Sequence, residues 1–273
     1  SKAAVDTMLA NAPVNKSRTE QQVYSAYASD VIDILPKLSV MASLRLDHFV
    51  NNGNLDTESD DYEQTTLSPK FGLVFKPIEE SVSIFANYMT SFNNVAPVTQ
   101  GDGTVESFSP EQANQWEVGV KSSLFNDRLT ATASYYDITV SDIVRSDPDR
   151  PQFSIQDGEQ YSRGVEFSLN ASPINGLNIT AGYSHNKSKI TKTSTPSLQD
   201  RRPEEAGPSD LINGWVSYRF TSGSLKGFGL GLGGNYASDN YVINRSNTGR
   251  FTIPSYTVLN GALFYDAKTY RLN

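Results

Sequence analysis

Apolar and polar residues alternate one by one along most of this chain. In residues 38–47 the even positions carry Leu38, Val40, Ala42, Leu44 and Leu46, whereas the odd positions are mostly polar. Because successive side chains of a strand point to opposite faces, this period of two predicts a strand with one apolar and one polar face. The pattern returns in further segments, which include 82–88, 129–135, 165–171 and 177–183. The chain is therefore predicted to be all-β.

Short and long connections alternate between these predicted strands. The short ones carry turn residues such as Pro, Gly, Asn and Asp, and they lie at 35–37, 77–80, 125–128, 173–176, 222–224 and 266–268. The long ones are polar and cover 51–64, 93–111, 145–158, 187–209 and 239–253. This alternation is typical of a transmembrane β-barrel with short periplasmic turns and long extracellular loops. A soluble sandwich is the alternative, but its core needs large apolar side chains from both sheets.

The number of predicted strands indicates part of a larger barrel. Eleven strands follow from Thr19 onwards, and a twelfth starts at Tyr270. A single-chain bacterial barrel closes with an even number of strands. We therefore expect residues 1–273 to form one partial barrel domain, in which residues 1–18 are the end of an extracellular loop.

Composition narrows the function classes. The chain has 23 basic and 30 acidic residues and a net charge of -7, with no basic cluster, which disfavours a nucleic-acid partner. It has no cysteine, so disulfides, thiolate metal sites and cysteine nucleophiles are excluded. Its two histidines, His48 and His185, are far apart in sequence, and no catalytic motif accompanies them. The sequence thus predicts neither an enzyme nor a metal site.

A glycine-rich segment at residues 229–234 matches the G-x-G-x-x-G spacing of dinucleotide-binding loops. That chemistry needs a helix directly after the glycines to hold the pyrophosphate. Here an alternating segment continues through Asn235 and Tyr236, so a strand is predicted instead. We expect the glycines to face the barrel lumen and to leave room for whatever fills it.

Several motifs resemble one known family. Residues 115–121 and 128–138 resemble the hairpin of TonB-dependent siderophore receptors, with E-x-G-x-K in one strand and L-x-A-x-x-x-Y-F/Y-D-I in the next. Further segments resemble the same family in the same order: S-P-K-x-G at 68–72, f-x-P-E at 108–111, G-x-x-x-x-x-G-x-E at 158–166 and P-x-Y-T-V at 254–258. The resemblance runs from about Val23 to the last residue.

The resemblance implies a fold and a function. A complete receptor of this family would hold a plug domain inside a barrel of about 22 strands, and we read neither the plug nor the energy-coupling segment in this chain. The implied function is active uptake of a ferric siderophore across the bacterial outer membrane. The implied partners are the ferric siderophore as transported ligand, TonB with its inner-membrane complex, the receptor's own plug and outer-membrane lipid. No resident cofactor is expected.

The cargo remains open at this point, and so do the ligand contacts. A receptor for cobalamin, haem or oligosaccharide is an alternative with the same fold, and a passive porin or a surface adhesin is another. Aromatic rings near the barrel mouth suit a bulky chelate, because they cover apolar ligand surface at little entropic cost. An arginine there is a donor to an anionic or carbonyl-rich chelate. The candidate ligand-binding residues, which are equally well explained as interface-girdle or loop-packing residues, are Phe108, Phe153, Tyr161, Tyr241 and Arg245.

Overall fold

The computed structural model describes residues 18–55, 58–59, 61–147, 149–267 and 269–272. Apart from one short 3-10 turn, Glu204–Ala206, the regular structure in these residues consists of strands. Residues 1–17 of the predicted N-terminal loop lie outside the described residues. The strands are β1 (Arg18–Leu35), β2 (Leu38–Leu55), β3 (Glu58–Ser59), β4 (Tyr62–Ile78), β5 (Val82–Asn93), β6 (Val98–Thr99), β7 (Val105–Glu106), β8 (Glu111–Leu124), β9 (Leu129–Ser146), β10 (Ser154–Ala171), β11 (Leu177–Lys192), β12 (Asp210–Arg219), β13 (Phe228–Ala237), β14 (Asn240–Arg245), β15 (Gly249–Ile253), β16 (Tyr256–Asp266) and β17 (Arg271–Leu272).

One large antiparallel sheet contains the long strands in chain order. Its path is β1-β2-β4-β5-β8-β9-β10-β11-β12-β13-β16-β17, and the two ends of this path do not meet. The predicted eleven strands and the start of a twelfth are confirmed, and so is the all-β class. Strand β1 pairs with β2 and is exposed along its whole length. Among the described residues, no helix is long and apolar enough to cross a membrane.

The long connections differ from those expected. Strand β2 runs to Leu55 and β4 starts at Tyr62, so most of the predicted loop 51–64 is strand. Likewise β9 runs to Ser146 and β10 starts at Ser154, which leaves residues 147–153 between them. The predicted loop boundaries were wrong because the polar residues beyond the apolar band also form backbone hydrogen bonds between strands. Two of the other connections contain small hairpins of their own, β6–β7 and β14–β15.

The apolar residues of neighbouring strands share one face. The register sets Phe167 beside Ala133, Ala133 beside Val120, Val120 beside Ile84 and Ile84 beside Phe75. The four large side chains of this row are each 41% to 43% exposed. A continuous apolar surface of this kind is unfavourable in water. It is the expected outer face of a barrel in a lipid bilayer, where it forms an apolar band.

The opposite face is polar. The row next to the apolar one contains Ser83, Lys121, Thr132 and Ser168, which the register places side by side. This face also encloses a concave region of about 530 Å³ that includes Glu117 and Glu166 in its lining. Polar residues that alternate with lipid-facing ones line the lumen of such barrels. The predicted division into a lipid face and a lumen face is therefore present in the register.

An ion pair on the lumen face is built within a single strand. The Arg45 guanidinium contacts the Asp47 carboxylate at 2.8 Å, and the Ser25 hydroxyl donates to the same carboxylate at 2.5 Å. Asp47 is only 2% exposed. A buried carboxylate is costly unless it is paired and hydrogen-bonded, and these two partners supply that compensation.

The lumen-facing glycines do not leave empty space, which corrects the expectation drawn from the sequence. A Cβ atom at Gly231 would lie 2.3 Å from the Trp215 ring, and one at Gly229 would lie 2.2 Å from the Phe264 ring. The aromatic side chains therefore lie across the glycines of the neighbouring strand, as in aromatic rescue of strand glycines. The glycines let these rings lie flat against the wall. Strand β13 contains the whole segment 229–234, so the dinucleotide-binding alternative is excluded.

We expect Gly231→Ala to destabilise the barrel, because the new methyl group must displace the Trp215 ring. The cost of overpacking is about 1 to 3 kcal/mol. Gly261→Ala is the matched control, since a Cβ atom there meets nothing closer than 3.9 Å. Urea unfolding in lipid vesicles measures both free energies. Equal effects at the two glycines would contradict the packing of Trp215 described above.

We expect Phe167→Arg to destabilise the barrel much more than Ser168→Arg. The two residues lie at the same depth of β10 but on opposite faces, so the first charge meets lipid and the second meets the lumen. A lipid-facing Arg near the midplane costs about 2 to 4 kcal/mol. The free energies of unfolding in vesicles give the comparison. Similar costs for the two variants would favour a soluble sheet over a membrane barrel.

Candidate functional site

Two neighbouring cavities lie at the barrel mouth, the end of the sheet that carries the long connections. Their volumes are about 300 Å³ and about 220 Å³. The 3-10 turn Glu204–Ala206 borders both, and Gln160 and Glu205 line both. We call the two cavities together the mouth cleft. It is the concave surface that the connections and the strand ends of β9, β10 and β11 form jointly.

A β-bulge between β9 and β10 shapes the wall of the larger cavity. The register between these strands shifts on both sides of Gly158, and Asp142 adopts a left-handed φ of 58°. A Cβ atom at residue 158 would lie 2.1 Å from the Arg145 guanidinium and 2.7 Å from the Ile143 Cβ, so a side chain there would force both neighbours to shift. Arg145 in turn pairs with Asp157 at 2.9 Å. Bulges of this kind redirect side chains at the rims of barrels.

Arg245, predicted as a donor to the ligand, lines the larger cavity but already has a partner. Its Nε contacts the Glu204 carboxylate at 3.1 Å. Hydrogen bonding to Glu204 raises the pKa of Arg245, and the same bond holds the pKa of Glu204 below its ordinary value. A ligand anion at Arg245 would compete with this carboxylate. That Arg245 binds a ligand stays a prediction.

Tyr161 contributes to the wall of the smaller cavity, although its parity is that of the outer face. It lies two residues from Arg163 and four from Val165, which is on the lipid-facing row. The Arg163 guanidinium stacks on the Tyr161 ring at 4.3 Å and pairs with Asp137 at 2.7 Å. The parity favours the girdle interpretation of this tyrosine, whereas the cavity favours a ligand contact.

Tyr241 lies on the β14–β15 hairpin, outside the main sheet. The Arg250 guanidinium of the opposite strand lies 5.4 Å from its ring centroid. The hairpin also carries Arg245, so the structure places these two candidates on one element. Tyr241 lines neither cavity of the mouth cleft, and its role in ligand binding stays a prediction.

Phe108 and Phe153 line neither cavity of the mouth cleft. Phe108 is 6% exposed, and its carbonyl accepts a hydrogen bond from Gln64. The Arg150 guanidinium lies 4.5 Å above the Phe153 ring. Phe153 therefore packs against an arginine of its own connection, and Phe108 is buried. The five candidates do not converge on one site.

The sequence did not indicate Arg202 and Asn186, two residues whose hydrogen bonds tie connection 193–209 to β11. The Arg202 guanidinium donates to the Asn186 carbonyl at 2.9 Å, to Asn186 Oδ1 at 3.1 Å and to the Gly207 carbonyl at 3.0 Å. Asn186 Nδ2 donates to the Tyr136 hydroxyl at 2.9 Å. Burial lowers the pKa of Arg202. Neither residue belongs to a motif or to a charge pattern, so no sequence signal marks them.

The lining of the mouth cleft combines amide, hydroxyl, carboxylate and guanidinium groups with apolar side chains such as Ile143, Ile190 and Leu198. Such a set hydrogen-bonds an oxygen-rich ligand and fixes its orientation. In the part of the chain that the structure describes, no cluster of three or more His, Asp or Glu residues has the arrangement of a metal site.

Comparison with known proteins agrees with this architecture. Residues 3–273 match the family described as TonB dependent receptor-like, beta-barrel. The ferrichrome outer membrane transporter/phage receptor of Escherichia coli K12 is 29% identical over 210 residues, which are 77% of this chain and 26% of that protein. The ferrioxamine B receptor of Salmonella typhimurium LT2 is 29% identical over 228 residues, which are 82% of this chain and 31% of that protein. The chain thus spans between a quarter and a third of the length of these two relatives.

Solved structures show the same fold. The ferric-catecholate import receptor Fiu of Escherichia coli K12 superposes with a TM-score of 0.77 at 18% identity, covering 92% of this chain and 39% of that chain. The ferripyoverdine receptor of Pseudomonas aeruginosa gives a TM-score of 0.75 at 17% identity, covering 95% and 34%. The chain belongs to the family of TonB-dependent receptor β-barrels, which lie in the bacterial outer membrane.

Proposed function

We propose that this chain is the wall and extracellular mouth of a receptor that takes up a ferric siderophore across the outer membrane, energised through TonB. The observation that carries the proposal is the similarity to the ferrichrome transporter and the ferrioxamine B receptor, each 29% identical over most of this chain. The family is one of transporters and receptors. The proposed activity is therefore binding and release, with no covalent step.

The geometry supports a polar ligand that enters from the mouth. The lumen face is polar, and the concave region of about 530 Å³ on that face gives space inside the wall. The mouth cleft offers Arg245, Glu205 and Gln160 to the oxygen atoms and donor groups of a chelate. Ferric siderophore is the cargo in this proposal and is not a resident cofactor.

The remaining partners belong to the same proposal. A plug domain would pack against the lumen face, and TonB with its inner-membrane complex would supply the energy for release. Outer-membrane lipid would cover the apolar row that contains Ile84, Val120 and Phe167. The exposure of this apolar row, 42% to 43% for the three side chains, supports the contact with lipid.

Uptake by cells that express the full-length receptor tests the proposed function. A strain that lacks other siderophore receptors is supplied with a radio-iron trishydroxamate or triscatecholate chelate, and with labelled cobalamin and haem in parallel. We expect iron accumulation from at least one ferric chelate, and its loss when the proton-motive force or TonB is removed. Energy-independent flux would indicate a porin, and uptake of cobalamin or haem alone would contradict the siderophore assignment.

We expect the double variant Tyr161→Ala, Tyr241→Ala to weaken chelate binding. Loss of two aromatic contacts at an interface costs about 1 kcal/mol or more when those contacts matter. Equilibrium binding of the transported ferric chelate to the purified receptor measures the effect. Tyr88→Ala serves as the control, because Tyr88 lies on the outer face, in register with Trp116 and Phe71. Unchanged affinity and uptake in the double variant would make both tyrosines girdle or packing residues.

A further inference from the structure

The β14–β15 hairpin stands apart from the barrel wall. Its two strands, Asn240–Arg245 and Gly249–Ile253, form a sheet of their own that does not pair with the main sheet. Strand β15 is exposed along its whole length. The hairpin joins the wall through residues 238–239 and 254–255. Two short segments therefore connect the hairpin to the barrel wall.

The tip of the hairpin is fastened to connection 193–209 through Asn244, which is 2% exposed. The backbone N–H of Asn244 donates to the Glu204 carboxylate at 3.0 Å, and its side-chain amide donates to the Arg202 carbonyl at 3.0 Å. The Arg250 guanidinium donates to Asn244 Oδ1 at 3.2 Å. A buried amide with these partners is costly to separate from them.

Two further contacts complete the attachment. Arg245 pairs with Glu204 at 3.1 Å, and the N–H of Ser246 donates to the carbonyl of Ser197 at 2.9 Å. We call these contacts, together with those of Asn244, the latch. The Arg245 side chain is 49% exposed, so its ion pair contributes little by itself. The latch thus consists of the hydrogen bonds of Asn244 and Ser246 and the ion pair of Arg245 with Glu204.

The other half of the latch is anchored to the wall. The N–H of Ile190 donates to the Arg201 carbonyl at 2.8 Å, and the N–H of Asn186 donates to the Ser209 carbonyl at 2.8 Å. The Arg202 guanidinium adds the three bonds to Asn186 and Gly207 described above. Residues 201, 202 and 209 of connection 193–209 are thus hydrogen-bonded to β11. If the latch opens, the hairpin is the part that moves.

The latch residues also line the mouth cleft. Glu204 and Arg245 both border the cavity of about 300 Å³. A ligand that binds either side chain takes a partner from the latch. Closure of the latch and occupation of this cavity therefore draw on the same two charged groups.

We propose that the β14–β15 hairpin is a flap that gates the mouth cleft, held shut by the latch and opened for passage of the ligand. The identity of that ligand as a ferric chelate rests on the proposed function. The movement of the hairpin does not, because the latch is defined by contacts within the chain.

A reversible cross-link tests the gate in the full-length receptor. Residues 1–273 contain no cysteine, so Ser197→Cys with Ser246→Cys introduces one defined pair within this part of the receptor. A bis-thiosulfonate reagent joins the two thiols, and a reducing agent releases them. We expect the cross-linked receptor to bind the transported ferric chelate about tenfold more slowly or worse, with recovery on reduction, as for binding that requires a conformational change.

The matched control is the pair Asn178→Cys with Ser217→Cys, which faces the lumen on β11 and β12, near the turn end of the wall. Cross-linking there should leave the binding rate unchanged. Equal rates for the receptor with and without the cross-link at Ser197 and Ser246 would overturn the gate.

Hydrogen exchange separates this proposal from the proposed function, since it needs no ligand. In the parent receptor we expect the amides of β14 and β15 to exchange at least about tenfold faster than those of β11, and Asn244→Ala to widen the difference. Protection of the hairpin equal to that of β11 in the parent would show a permanently closed latch and overturn the proposal. If the hairpin is mobile but the receptor binds no ferric chelate, the proposed function is overturned and the proposal that the hairpin is a flap still stands.

Discussion

The structure depends on the need to pair every backbone N–H and C=O group within a lipid bilayer. In lipid no water satisfies these groups, so a spanning strand must pair on both edges with other strands. The pairing of β9 with β8 on one side and with β10 on the other, over nearly its whole length, meets this need. The alternation of apolar and polar residues follows from this pairing, because each residue of such a strand faces either lipid or the lumen. This alternation produces two rows of side chains: an apolar row that contains Phe167 and Val120, and a polar row that contains Ser168 and Lys121.

The same pairing explains where the wall changes into a binding surface. Below the mouth, the β9–β10 register is regular, and side chains alternate between the two faces. At Asp142 and Gly158 the register shifts, and Arg145 occupies the space above the glycine. Beyond this point the strands no longer need an apolar face, so charged and amide side chains line the cleft. The mouth cleft begins where the constraint from lipid ends.

The sequence predicted the features that a local pattern specifies. Alternation over five to ten residues defined the strands, and turn residues located the short connections. The upper ends of β2 and β9 could not be predicted this way, because polar residues such as Asn51 continue the strand pairing without any alternation of hydropathy. The alternation of apolar and polar residues depends on contact with lipid. It therefore gives no information about the part of a strand that lies in water.

Contacts between residues that are far apart in the chain could not be predicted from the sequence, for a different reason. Asn244 and Glu204 are forty positions apart in the chain, and nothing in either segment indicates its partner. The same holds for Trp215 over Gly231, where the glycine suggested open space and the neighbouring strand filled it. Of the ligand candidates, residue type and position near the mouth were predictable from the sequence. The ion pair of Arg245 with Glu204 became visible only in the side-chain contacts, and the outward parity of Tyr161 only in the register of β10.

The central claim is that one face of the sheet contacts lipid and the other lines a lumen. Spin labels at consecutive cysteines from residue 163 to residue 170, introduced into the full-length receptor in lipid vesicles, test it most directly. Collision with oxygen reports lipid, and collision with a polar nickel complex reports water. We expect oxygen contact to peak at Val165, Phe167 and Leu169, and nickel contact to peak at Glu166, Ser168 and Asn170. Equal contact with both reagents along the segment, without a period of two, would contradict the barrel wall described here.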